Sequence, residues 1–432
     1  MKPAEDPGPG AENATGRTNP REGIGRYAAI LVAFVLATGC IVASPFLQPP
    51  YLLSILVILC SAILYLIRGT RALSISIIIL AVLYGIGWLP LTILATTLGI
   101  VAVGEIAYRA SAGGHHRYLT YLAASSAGGG AVLLYLAAIR YLEITPLLLL
   151  LILLGVLVAV LLKAALQGRS DVLMVEGLGV AMTMYLFADL NMPVGNLALL
   201  TAAAVIALSF GYTAYRLRIA DVSGLFSGSI VGIILIVFAD VRWFFVMLAF
   251  LVVGSISTRY RFEVKAAAGV AESHGGVRGY INVFANCLVG VAAAVLYGLS
   301  GGNALPLALF LGSVATAAAD TMGGEIGMTS RDPVLITSFE PVPKGTNGGI
   351  TLLGEVASLG ASAAIALSAL LLGIGDLRLL LFVTLAGFAG SNVDSLVGAL
   401  FENRGYVGNA GTNLIATLAG GLMALALVLL FA

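Results

Sequence analysis

The sequence predicts an all-α, polytopic integral membrane helical bundle of about 13–15 transmembrane helices. Three observations carry that expectation. Of 432 residues, 60% are hydrophobic and only 10% are charged, whereas a soluble domain carries about 25% charged residues, so polar groups are too few to cover a globular surface. Apolar runs recur along the chain at roughly the 20 residues a helix needs to span a bilayer. Lys and Arg alternate between loops in a way that one orientation explains.

Taken in order, residues 1–23 are polar and rich in Pro, Gly, Glu and Asn, which reads as a disordered tail. The apolar runs that follow are 27–44, 51–67, 72–88, 91–107, 118–138, 145–162, 172–188, 194–212, 223–239, 243–257, 279–299, 304–319, 349–373, 379–398 and 409–431. With the tail inside the cell, 19 of the 22 Lys and Arg residues fall in inside loops, and only Arg140, Arg242 and Arg378 fall outside. The expected location is therefore a cell membrane, with the amino terminus and the loops 258–278, 320–348 and 399–408 in the cytosol. Asn13-Ala14-Thr15 fits a glycosylation acceptor, but this topology places it on the cytosolic side. Cys40, Cys60 and Cys287 each lie in an apolar run without paired spacing, so they read as packing residues. The net charge of +1 argues neither for nor against nucleic acid.

Polar residues concentrate in the carboxy-terminal half, in four constellations. In "AADTMGGEIG", Asp320 ends an apolar run and Glu325 follows across two glycines. Ionisable groups at membrane depth are costly and usually functional, and such a carboxylate pair suits Mg²⁺, which prefers oxygen ligands. The bland alternative is an interfacial Asp that ends a helix. In "KGTNGG", Lys344, Gly345, Thr346, Asn347, Gly348 and Gly349 precede the next apolar run. Glycines let successive N–H groups converge as an anion nest, and a following helix start adds donors. The spacing is not that of a Walker loop, and a flexible loop with an N-cap at Thr346 or Asn347 explains it equally well. Glu355, in the following run, reads as a third acidic ligand or as the partner of a Lys or Arg.

The third constellation, "GSNVDSLVGALFENRG", buries Asp394 two residues after Asn392; the alternative is a polar residue joining helices. The fourth places Arg259, Arg261, Lys265 and Arg278 before Asn282 and Asn286, which share a helix face. These charges suit a substrate phosphate or a positive-inside anchor. Glu105, His115-His116, Asp171 and Glu176 in the amino-terminal half read as structural. No Ser-His-Asp, CxxC, HExxH or dinucleotide fingerprint is present in the sequence. The polar content points to metal-assisted phosphate chemistry at a membrane surface.

With these residues in view, residues from about 198 to 432 resemble the integral membrane family of domain of unknown function 92, which includes transmembrane protein 19 and the phytyl-phosphate kinases. The resemblance rests on "SGLFSGSIVG", "VVGSISTRYRFEVK", "GGVRGYINVFANCLVG", "ADTMGGEIG", "VPKGTNGGITLLGEVASLGAS" and "GSNVDSLVGA". It implies a kinase-like transmembrane domain over 196–432 and leaves 24–195 as a helical region of unexplained role. It also implies a CTP- or other nucleoside triphosphate-dependent kinase that converts an isoprenyl monophosphate to the diphosphate, with Mg²⁺. In that reading Asp320, Lys344 and Asp394 are catalytic, and Asp320, Glu325 and Asp394 hold the metal. Lys344 to Gly349 cradle the nucleotide phosphates, and Lys265, Arg278, Asn282 and Asn286 meet the substrate phosphate. Two alternatives stay open. One is a polyprenol kinase or lipid-phosphate cytidylyltransferase, although the basic residues expected after Asp394-Ser395 are absent. The other is a multi-pass transporter.

Overall fold

The computed structural model describes residues 32, 35–66, 70–111, 116–190 and 194–431. The amino-terminal tail 1–23 and His115 lie outside the described residues. A backbone in hydrocarbon must satisfy its N–H and C=O groups internally, and the helix does so within one segment. The apolar runs are accordingly helices: α1 Val35–Phe46, α2 Pro50–Leu66, α3 Arg71–Gly85, α4 Leu91–Ala110, α5 Arg117–Ala138, α6 Pro146–Ala165, α7 Val172–Asp189, α8 Leu197–Arg216, α9 Val222–Phe238 and α10 Val241–Arg259. A short α11, Phe262–Ala267, is followed by α12 Tyr280–Leu299, α13 Leu305–Gly327, α14 Leu352–Leu371, α15 Leu377–Val397 and α16 Asn409–Phe431. Two two-residue strands, β1 Val334–Leu335 and β2 Gly349–Ile350, pair antiparallel between α13 and α14.

The chain is thus an all-α polytopic membrane bundle. A helix stands over each of the fifteen predicted runs. Among the described residues, eleven have the length and hydropathy to cross a membrane, while α1, α2, α3 and α9 are apolar helices of 10–17 residues. The expected 13–15 spans counted those shorter helices as full crossings. Polar residues set several helix starts. Asn196, Asp221, Asp240 and Asp376 each accept a backbone N–H of the first turn, as at Asp376 Oδ1 from Leu379 N at 2.7 Å. Such caps satisfy donors that the helix itself leaves free.

The described helices form two compact units, one from within residues 1–143 with 168–181 and one from within residues 144–167 with 182–432. The second therefore takes in α6. In the first unit, α4 and α5 meet where a Cβ on Gly128 would lie 2.2 Å from the Gly99 carbonyl oxygen. Its buried carboxylates are partnered: Glu105 with Arg109, and Glu176 with the Tyr121 hydroxyl. Asp171 pairs with Arg169 at 2.7 Å.

In the second unit, α13 is the central helix. It packs against α10, α12, α14, α15 and α16, and Phe310 to Ala319 are all buried. Small residues permit these crossings. A Cβ on Gly387 of α15 would stand 2.6 Å from the Ala315 Cβ, and one on Gly420 of α16 would stand 1.9 Å from Thr316 Oγ1. Trp243 stacks on Phe310 with ring centroids 4.4 Å apart in the apolar core of this unit.

Candidate functional site

Asp320 lies seven residues before the end of α13, about 10 Å along the axis at ~1.5 Å per residue. The apolar run is expected to end there; the helix instead continues through Gly323 and Gly324 to Gly327. Those glycines do not make a bend. A Cβ on Gly323 would stand 2.0 Å from Ser358 Oγ of α14, so its bare backbone serves a close helix crossing. Asp394 lies three residues before the end of α15, which continues into a π-helical turn over Gly398–Glu402. The packing of α13 on α15 brings the carboxyls of Asp320 and Asp394 within hydrogen-bonding reach of each other. Asp394 Oδ1 is buried and has no hydrogen-bond partner among the described residues.

The "KGTNGG" segment closes over this carboxyl pair as a loop rather than as the first turn of a helix. Its last glycine enters β2, where Leu335 faces Gly349 and Val334 faces Ile350. The alternative of an N-cap at Thr346 or Asn347 does not hold: the cap of α14 is Thr351, whose hydroxyl accepts from Gly354 N at 3.0 Å. The Thr346 hydroxyl instead donates to the Pro343 carbonyl at 2.7 Å, and the Asn347 carbonyl accepts from Asn403 Nδ2 at 2.9 Å. Gly348 has φ +78°, and a Cβ there would stand 2.5 Å from the Ser395 carbonyl oxygen. Only glycine adopts that conformation without strain, so the loop can press directly on the end of α15.

Together these elements enclose a cavity of about 280 Å³. Asp320, Lys344 through Gly349, Thr351, Asp394 and Asn409 line it, as do Glu355 and Glu402. Its lining has four carboxylates and one lysine. Lys344 has no ion pair among the described residues. Glu355 accepts a hydrogen bond from Asn392 Nδ2 at 3.1 Å and forms no ion pair with a Lys or Arg among the described residues. Glu402 accepts from Thr412 Oγ1 at 3.1 Å. Glu402 is not among the site residues expected from the sequence; its i, i+8 spacing from Asp394 is the signal that both share a helix face.

Glu325 does not join Asp320 in this cavity. Five residues turn a helix by about 500°, which leaves the two side chains roughly 140° apart. Glu325 forms a buried ion pair with Lys265, whose ammonium also donates to the Ser257 and Thr258 carbonyls at 3.3 and 2.8 Å. Lys265, at 1% exposure, is committed to this pair and is not presented to a substrate. Glu272 lies within hydrogen-bonding reach of Glu325, and burial followed by that neighbouring charge raises its carboxyl above the ordinary value. Arg278 and Asn282 line a separate, apolar cavity in the same unit. Burial holds the Arg278 guanidinium below its ordinary value, partly offset by the Glu272 charge. Asn286 is turned back on its own helix, donating to the Asn282 carbonyl at 2.9 Å. The four residues expected at a substrate phosphate are therefore divided between an ion pair, a second cavity and a helix-internal bond.

Among the described residues, no group of three or more His, Cys, Asp or Glu is arranged to hold a metal. Mg²⁺ does not require one, since it binds through one or two carboxylates together with waters and substrate phosphates. Asp320, Asp394 and the unpartnered Asp394 Oδ1 fit that donor set.

Residues 205–421 match the family of integral membrane proteins DUF92. An uncharacterized membrane protein of Methanocaldococcus jannaschii is 39% identical over 207 residues, which cover 48% of this chain and 84% of that protein. One of Synechocystis is 33% identical over 201 residues, 45% of this chain and 78% of that protein. Protein VTE6 of the Arabidopsis thaliana chloroplast is 30% identical over 190 residues, 42% of this chain and 57% of that protein. No solved structure matches.

Proposed function

Because this chain belongs to the DUF92 family of integral membrane proteins, we propose that it is a membrane-embedded kinase, using CTP or another nucleoside triphosphate to phosphorylate an isoprenyl monophosphate. The observation that carries this reading is the meeting of Asp320, Lys344 and Asp394 on one cavity, from two helices and a glycine loop. The motif resemblance to the phytyl-phosphate kinases supports the acceptor class.

Phosphoryl transfer asks for positioning and charge neutralisation more than for covalent chemistry by the protein. Lys344 neutralises part of the nucleotide's phosphate charge, and the N–H groups of Gly345, Asn347 and Gly348 orient its oxygens, those of Thr346 and Gly349 being held by the Pro343 and Thr346 carbonyls. The start of α14 at Thr351 adds the partial positive charge of a helix N-terminus. Asp320 and Asp394 would hold Mg²⁺, which when bound offsets the negative charge gathered on the phosphates. A phosphate oxygen of the acceptor forms the new P–O bond as the bond to the terminal phosphoryl group breaks and the nucleoside diphosphate leaves. An acceptor already ionised as a phosphate has no proton to give up, so no general base is required. With the loops of the site in the cytosol, as the Lys and Arg distribution favours, nucleotide reaches the cavity from the aqueous side.

The test is turnover by the purified full chain of labelled CTP, Mg²⁺ and phytyl or geranylgeranyl phosphate. Formation of the diphosphate that disappears in Asp320→Asn and Lys344→Ala supports the kinase. Absence of turnover with every nucleotide, alongside uptake of substrate by liposomes holding the protein, selects the transporter.

A further inference from the structure

The second cavity lies among α8, α9, α10 and the start of α12, with a volume of about 100 Å³. It is of the order of the ~150 Å³ apolar cavity that accepts a benzene ring. Its walls include Phe210, Phe250 and Val283. On α9, a Cβ added at Gly228 meets nothing within 4 Å, so the missing side chain leaves open space. Two polar residues, Arg278 and Asn282, line this otherwise apolar volume. The Arg278 guanidinium, 9% exposed, sits over the Phe250 ring at 5.4 Å and makes no hydrogen bond or ion pair with any described residue. The Glu272 and Glu325 charges act on it from nearby, but Glu325 is paired with Lys265 and neither is paired with Arg278. The Asn282 side chain likewise has no partner among the described residues.

A buried, unpaired guanidinium is costly unless an anion meets it, and an apolar cavity beside it takes hydrocarbon. We infer that this cavity binds the head-proximal part of a single-chain lipid phosphate, its chain along Gly228 and its phosphate at Arg278 and Asn282. This goes beyond the proposed function, since the cavity is separate from the one lined by Asp320, Lys344 and Asp394, and it rests on that reading only for the identity of the lipid.

The experiment uses the full chain in detergent and a geranylgeranyl phosphate analogue carrying a diazirine near its head, with labelled peptides mapped by mass spectrometry. Labelling is expected to concentrate on α9, α10 and the start of α12. Farnesyl phosphate should compete, while farnesol and inorganic phosphate should not. Gly228→Leu, which fills the space, and Arg278→Gln should each cut labelling by at least about tenfold, equivalent to ~1.4 kcal/mol, with Arg278→Lys retaining more. Both variants should still bind a fluorescent CTP analogue, which shows that they are folded. Competition by farnesol equal to that by farnesyl phosphate would remove the phosphate from the proposal. Labelling spread evenly over the helices, or unchanged in Gly228→Leu, overturns it. Gly228-dependent labelling without turnover of any nucleotide leaves the lipid site standing and defeats the kinase.

Discussion

Asp320 and Asp394 are separated by 74 positions in the chain, yet their carboxyls come within hydrogen-bonding reach where α13 crosses α15. Glycine makes the approach possible: a Cβ on Gly390, four residues before Asp394, would stand 2.3 Å from Thr316 Oγ1. The proposed cation and phosphate sites rest on these two apposed carboxylates and the lysine-bearing loop that lines the same cavity.

Asp320→Asn and Asp394→Asn are each expected to lower kcat by about 10³-fold, within the range of losses seen when charge stabilisation is removed from phosphoryl transfer. Both variants should fold, since amide and carboxyl differ little in volume. Chelation of divalent cations should produce the same loss in the unaltered chain. The measurement is diphosphate formation from labelled CTP, with thermal unfolding as the control.

Lys344→Met should act on nucleotide binding. A charged hydrogen bond is worth about 1.5–3 kcal/mol, so KM for the nucleotide should rise roughly 10–150-fold. KM for the lipid should stay near its original value. A variant with unchanged nucleotide KM would remove Lys344 from the phosphate site.

Gly348→Ala should destabilise the loop. Its φ of +78° costs a non-glycine residue about 1–2 kcal/mol, and the new Cβ would sit 2.5 Å from the Ser395 carbonyl oxygen. Gly360→Ala on α14 meets nothing within 4 Å and should raise stability by up to ~1 kcal/mol through helix propensity. Unfolding temperatures of the two variants, with nucleotide affinity for Gly348→Ala, check the pair.

The Lys265–Glu325 ion pair is a structural element rather than part of the phosphate site. Lys265→Met alone should cost about 3–5 kcal/mol, because it leaves Glu325 buried without its cation. The double variant Lys265→Met, Glu325→Leu should recover most of that loss. A double-mutant cycle on unfolding in detergent measures the coupling.

Stability should also depend on pH through Glu272. Burial, reinforced by the Glu325 charge, raises its carboxyl above the ordinary 4.5. A raised carboxyl contributes stability that is complete below the unfolded value and is lost as pH rises through the folded value. Glu272→Gln should therefore gain on the unaltered chain as pH climbs from below 4.5 upward. Parallel unfolding curves for the two proteins across that window would contradict the assignment.

The fold class and the helical segments are legible in composition and hydropathy alone. Runs of apolar residues at bilayer length have one outcome, because backbone groups in hydrocarbon are satisfied only within a helix or a closed barrel. The sequence also named the chemically distinctive residues Asp320, Lys344 and Asp394, since charges and clustered glycines stand out in an oily chain. It paired Glu325 with Asp320 by proximity along the chain, and it grouped Lys265 with Arg278 by charge. Tertiary structure decided otherwise: five residues of helical turn carry Glu325 to Lys265, and Arg278 is set at another cavity. The reason is physical. Hydropathy is nearly uniform around these helices, so it does not say which face meets which neighbour. Rotation and register come from the fit of small residues such as Gly387 and Gly420 against α13, and that fit exists only once the helices are packed.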